Sequence, residues 1–205
     1  MKLLILTLLL LLGSAATTLA QTDATAALQD ILAFQEELNE AYRNPEKSPL
    51  TPEALESFTA HAFFPADLAY RVQAKFIRTE QEAVFKMKTS TSRLPEYVKY
   101  GEAVFELHGR TFKLNIYQNM ALQKTEAYRN HLFLPFTDLS NGHQTYGGGR
   151  YLDLTIPDGD TVLLDFNKAY NPYCAYSPSY SCPIPPKENH LDIAILAGIQ
   201  LEDPK

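Results

Sequence analysis

The chain is 205 residues long and carries 24 acidic against 18 basic side chains, a formal net charge of −6. That balance lacks the basic surface a nucleic-acid backbone demands and disfavours binding to anionic lipid. Twelve tyrosines and eleven phenylalanines with no tryptophan point to a core built on β structure, and the length suits one domain.

Residues 1–20 read as a secretory signal peptide. Met1-Lys2 gives a positive start, residues 3–12 are apolar except for Thr7, and Gly13-Ser14 breaks the run. Thr18 and Ala20 then supply the small residues of a cleavage site before Gln21. The apolar run is short for a membrane span. The expected product is an exported chain, periplasmic or secreted, with no membrane attachment after cleavage.

Residues 24–43 follow the helical period: Leu28, Ile31, Leu32, Phe34, Leu38, Ala41 and Tyr42 recur among Gln, Asp and Glu. Asn44-Pro45 ends that helix. A second, shorter helix is predicted from Thr51-Pro52-Glu53, which combines a good N-cap, a proline at the first helical position and an acid at the positive end. Residues 21–60 are thus an N-terminal helical segment ahead of a β domain over residues 61–205.

From about residue 68 the period becomes two. Tyr70, Val72, Ala74 and Phe76 alternate with polar residues, and residues 84–88 make a second strand. Residues 104–107 and 112–116 form a hairpin about His108-Gly109-Arg110. Residues 132–136 are another strand, and Asn141-Gly142 is a turn. Residues 151–156 and 162–166, joined by Pro157-Asp158-Gly159-Asp160, read as a second hairpin. The proline-rich stretch 171–187 cannot be a regular strand. Leu191, Ile193 and Ile195 make the last strand, which Gly198 ends or bends. The fold class is therefore mainly β, an antiparallel β-sandwich or barrel-like sheet with N-terminal helices. Strands and helices do not alternate, which disfavours a parallel α/β fold.

Three stretches carry a resemblance. Residues 132–154 hold Phe136, Asp138, Ser140, Gly142, Thr145-Tyr146 and Gly149-Arg150-Tyr151-Leu152. Residues 165–191 hold Asp165-Phe166-Asn167, Asn171-Pro172, Cys174-Ala175, Cys182-Pro183-Ile184-Pro185-Pro186, Asn189 and Leu191, and Ala197-Gly198-Ile199 closes the set. In this order they resemble the DUF1684 family of uncharacterised, mostly bacterial proteins, over roughly residues 60–200. The resemblance implies a shared fold and no activity, because the family itself has none assigned.

The same block holds the candidate site. Gly147-Gly148-Gly149 can present N–H groups to an anion, with Arg150 adding a fork of donors. It is not a P-loop, since no Lys-Ser/Thr follows and the next segment reads as a strand. The competing reading is a glycine-rich turn with Arg150 paired to an acid such as Asp153 or Asp165. Asp165, Asn167, Tyr170 and Asn171 lie where a strand leaves the sheet. There they can converge on a ligand or satisfy the irregular loop that follows. The expected ligand-binding set is Tyr146, Gly148, Gly149, Arg150, Asp165 and Asn167.

In an exported chain, Cys174 and Cys182 favour a disulfide. The family pattern carries both cysteines in members without export signals, so two reduced thiols, or a metal or redox site, stay open. The five histidines are scattered and show no ligand spacing, and no H-E-x-x-H or G-x-S-x-G is present. No metal and no cofactor are expected. His143, oriented by Asp138, is the best candidate base, with Asp165 the other catalytic candidate. The leading expectation is an exported protein binding a small polar or anionic ligand at this block. The alternatives are a hydrolase-like enzyme using His143 or Asp165 with Arg150, and a structural protein with no ligand. The sequence carries no signal of oligomeric state.

Overall fold

A computed structural model describes residues 2–201, with side chains from Gln21 onward in the first helix. Over residues 2–20, where the signal peptide is expected, only the backbone is described, and cleavage there lies outside what it addresses. Helix α1 runs Lys2–Arg43 and buries Ile31 and Tyr42 against the rest of the molecule. Helix α2, Pro52–Ser57, is only six residues long and buries none of them. Its cap is the predicted one, with the Thr51 hydroxyl accepting from the Ala54 N–H at 3.3 Å. One long helix therefore does the covering expected of two.

The strands are β1 (Arg71–Arg78), β2 (Phe85–Lys86), β3 (Glu96–Leu107), β4 (Arg110–Asn119), β5 (His131–Asp138), β6 (Arg150–Thr155), β7 (Thr161–Asp165) and β8 (His190–Leu191). They form one sheet in the order β6-β5-β4-β3-β1-β7, with β2 beside β3 and β8 beside β5. Every pairing is antiparallel except β5 with β8. No second sheet faces it among the described residues, so the sandwich alternative is not what forms.

The expected second hairpin is corrected by this order. Strands β6 and β7 follow one another in sequence but lie at opposite ends of the sheet path, β6 on β5 and β7 on β1. A flat path of six strands would separate its edges by about 24 Å. The link 156–160 reaches only about 21 Å when fully extended. The sheet must therefore curl, and it forms a half-barrel. The last predicted strand is also corrected. Only His190 and Leu191 pair, because Ile193 and Ile195 belong to an irregular segment that Arg150 holds instead.

Alternation sorts the side chains onto two faces. The inner face carries Ala74, Phe76, Ala103, Phe105, Leu114, Ile116, Leu132, Leu134, Phe136, Leu152 and Leu164, the main core. The outer face carries Tyr97, Tyr117, Phe133 and Tyr151, which with Met87 form a second cluster. Tyr97 and Phe105 share odd parity on β3 yet point to opposite faces. A β-bulge between Lys99 and Gly101 makes the switch. Glycine is required there, since a Cβ on Gly101 would lie 2.6 Å from the Phe76 ring and 2.8 Å from the Ile77 carbonyl. The β3–β4 turn matches expectation: His108 and Gly109 both take positive φ (49° and 72°), as a two-residue hairpin loop favours.

Two buried asparagines replace missing ladder bonds. Strands β4 and β5 pair only at Tyr117 and Phe133, and Pro135 has no N–H to offer. Into the gap Asn189 donates from Nδ2 to the carbonyls of Asn115 (2.8 Å) and Pro135 (2.7 Å), and its Oδ1 accepts from the Asn115 N–H (2.9 Å). Asn167 does the same for residue 67, donating to the Asp67 carbonyl and accepting from the Asp67 N–H, both at 2.9 Å.

Candidate functional site

The Gly-Arg block folds inward. Gly149 (φ 87°) turns the chain into β6, and a Cβ there would meet the Phe136 carbonyl at 2.6 Å. Its N–H already donates to the Tyr146 carbonyl. A Cβ on Gly148 would meet the Tyr146 ring at 2.5 Å. Arg150 is fully buried. Nη2 donates to Asp138 Oδ2 (3.0 Å) and the Ile195 carbonyl (2.8 Å), and Nη1 to the carbonyls of Ala197 (2.5 Å) and Ile199 (3.3 Å). Burial lowers its pKa, while Asp138 opposes that shift.

The acid chosen is neither Asp153 nor Asp165. Arg150 shares the inner face of β6 with Leu152, so Asp153 points the other way, and Asp165 sits on the far edge strand. Asp165 instead accepts from Arg71 (2.5 Å), which also reaches Asp30 on α1 (2.8 Å), and from the N–H of Asn167 (3.1 Å). That chain ties the helix to the sheet edge. His143 is exposed on the turn, and both oxygens of Asp138 are occupied by Arg150, Ser140 and the Ile195 N–H. Of the expected binding residues, only Tyr146 lines a cavity described here.

Open space lies on the outer face. A cavity of about 480 Å³ sits between the sheet, α1, the 120–130 connection and the 170–183 loop. Its floor is Tyr97, Phe133 and Tyr151. Phe34 and Leu38 come from α1, and Tyr170, Pro172, Tyr173, Cys182 and Pro183 from the loop. Leu122, Tyr128 and Tyr173 are exposed at its mouth. The rings meet at steep angles: Phe133 and Tyr151 lie 4.7 Å apart at 76°, Tyr151 and Tyr170 5.9 Å apart at 89°. Asp153 forms the polar edge, with His131 Nε2 at 2.9 Å from Oδ1 and the Tyr170 hydroxyl donating to Oδ2 at 2.8 Å. The Tyr151 hydroxyl donates to the Pro183 carbonyl. Burial pushes the phenols of Tyr97, Tyr151, Tyr170 and Tyr173 upward, so they stay neutral.

The cysteines meet beside this cavity. Both are free thiols, and the Cys174 N–H lies 3.1 Å from Cys182 Sγ. Burial, with Cys174 alongside, pushes the Cys182 thiol up to about 11. It is therefore a poor nucleophile at neutral pH.

A second cavity of about 390 Å³ lies between the 50–62 segment and the 171–176 loop, lined by His61, Tyr146, Asn171 and Tyr176 among others. His61 Nε2 and Asn171 Oδ1 are buried there without a protein partner. Burial lowers His61 to about 4, so its imidazole is neutral.

Sequence reasoning placed neither Asp153 nor His131 in a cavity, nor the rings of Tyr97, Phe133 and Tyr151. One signal was available. Residues 132–136 are apolar at every position, and such a run marks a strand covered on both faces.

These features define a mainly antiparallel β half-barrel with one N-terminal helix and a covered aromatic outer face. The chain belongs to DUF1684, a family of proteins of unknown function, whose sequence model matches residues 56–200. It is similar to an uncharacterized protein of Haloarcula marismortui with a solution NMR structure. The two are 34% identical over 87% of this chain and 96% of that one, with a TM-score of 0.69. No curated protein matches the chain.

Proposed function

We propose that the chain is an exported binding protein that takes a small molecule with an apolar body into the aromatic cavity on the outer face. The observation that carries this reading is the cavity itself: about 480 Å³, walled by rings from the helix, the sheet and the loop. Ligand pockets have that size and that mixture of apolar wall and few polar groups. Exposed Leu122, Tyr128 and Tyr173 at the mouth leave apolar surface that a ligand would cover. Export rests on the leader pattern of residues 1–20.

The polar or anionic ligand expected at the Gly-Arg block fits less well. An anion there would have to displace Asp138 and three carbonyls from Arg150. A hydrolase reading lacks its parts in one place. Arg150 is committed elsewhere, His131 is turned to Asp153, and the Cys182 thiol is protonated. The second reading is a structural protein with no ligand, favoured by the internal use of Arg150, Asp165, Asn167 and Asn189.

A melting-shift screen of small aromatic and aliphatic compounds separates the two. Hits should raise Tm of the wild type and perturb the NMR signals of Phe133 and Tyr151. Leu122→Trp, which fills the mouth, should abolish the shift without lowering the melting point of the free protein. If no compound shifts Tm, or if hits bind Leu122→Trp equally well, the cavity is not the site.

A further inference from the structure

Resting on that reading of the cavity, we infer that its ligand is an organic cation, an alkylated ammonium head on an apolar body. The hydroxyl protons of Tyr151 and Tyr170 are spent on the Pro183 carbonyl and on Asp153. Neither of these two hydroxyls is therefore free to donate to an anion. The walls offer instead the faces of neutral rings, whose quadrupoles attract positive charge, and the negative charge of Asp153 at the polar edge.

No lysine or arginine lines this cavity. His131 lines it and faces Asp153, and the nearest lysines and arginines are directed elsewhere. Lys168 lies over the Phe34 ring but is held by Asp30 at 2.8 Å, and Arg93 donates to the Ser181 carbonyl. Lys124 lines the neighbouring groove together with Glu96. Rings set nearly perpendicular to one another, as Tyr151 is to Phe133 and Tyr170, make walls rather than a stack. Such walls suit a rounded, weakly hydrated head without directional hydrogen bonds. A quaternary or tertiary ammonium has that shape, and the net charge of −6 draws it in.

Three probes of equal shape test the charge. They are the (2-hydroxyethyl)trimethylammonium ion, its neutral carbon isostere 3,3-dimethylbutan-1-ol, and 3,3-dimethylbutanoate. Each is titrated into the wild type and followed on the Phe133 and Tyr151 NMR signals. The cation should bind about tenfold more tightly than the alcohol, and the carboxylate should not bind. Asp153→Asn, at a half-exposed position, should remove most of that preference while leaving alcohol binding alone. Equal binding of cation and alcohol overturns the charge inference and leaves the cavity reading intact. The same holds if none of the three binds while screen hits do. If neither probes nor screen compounds touch Phe133 and Tyr151, both readings fall together.

Discussion

Arg150 and Asp138 form an ion pair at 3.0 Å with neither side chain exposed to solvent. Around it the other donors and acceptors are nearly all matched. Asp138 Oδ1 takes the N–H and hydroxyl of Ser140 and the N–H of Ile195, and Arg150 clasps the carbonyls of Ile195, Ala197 and Ile199. The pair joins the end of β5, the start of β6 and the C-terminal segment. Removing one partner strands the other charge in the interior. Arg150→Met and Asp138→Leu should each cost about 3–5 kcal/mol, and the double variant should cost much less than their sum. Urea unfolding of the four proteins measures the coupling. Additive losses would mean that the two side chains act independently.

Asn189 supplies the bonds that β4 and β5 cannot make to each other. Asn189→Ala leaves the Asn115 N–H and two carbonyls without partners, at an expected cost of about 2–4 kcal/mol. Asn189→Asp should be worse at neutral pH, because it sets a carboxylate against two carbonyls, and should recover towards the alanine variant as the pH falls. Equal stabilities for the wild type and the alanine variant would refute the bridging role.

His61 makes stability depend on pH. Its folded-state value of about 4 lies below the unfolded value of about 6.5, so the unfolded chain takes up its proton first. The neutral ring's advantage is whole above about pH 6.5. It fades as pH falls towards 4, by at most about 3 kcal/mol across that window. His61→Gln should flatten this part of the stability–pH curve. Parallel curves for the two proteins between pH 7 and pH 4.5 would contradict the assignment.

The two thiols should differ in reactivity. Cys182 is buried and pushed up to about 11, whereas Cys174 is half-buried. At neutral pH, alkylation followed by mass should label Cys174 first. Under a mild oxidant both thiols should vanish together in an intramolecular bond. Closing so short a loop should then raise stability by about 2–3 kcal/mol. Equal labelling rates, or two thiols that survive oxidation, would defeat this expectation.

The locally encoded features were legible in the sequence. Helix α1 ends at Arg43 ahead of Asn44-Pro45, Thr51 caps α2, and His108-Gly109 turns β3 into β4. Each depends on residues a few positions apart, through φ preference, a missing N–H or a side-chain cap. The alternation in β1 and the apolar run in β5 likewise announce strands without naming their neighbours. The Gly-Arg/Asp-Asn block was legible as unusual but not as scaffold, because partner choice depends on strand order. Arg150 meets Asp138 because β6 lies on β5, and Asp165 meets Arg71 because β7 lies on β1.

By itself, then, the amino-acid sequence determined the mainly β class, the leading helix, the principal turns and the family. The tertiary structure alone decided that β6 and β7 take opposite edges, and that a one-residue bulge at Lys99–Gly101 turns Tyr97 to the outer face. It also gathered rings from Phe34 through to Tyr173 into one cavity. The physical reason is range. Caps, turns and alternation act through neighbours along the chain, whereas curl, bulge parity and the pairing of buried charge depend on contacts between distant segments.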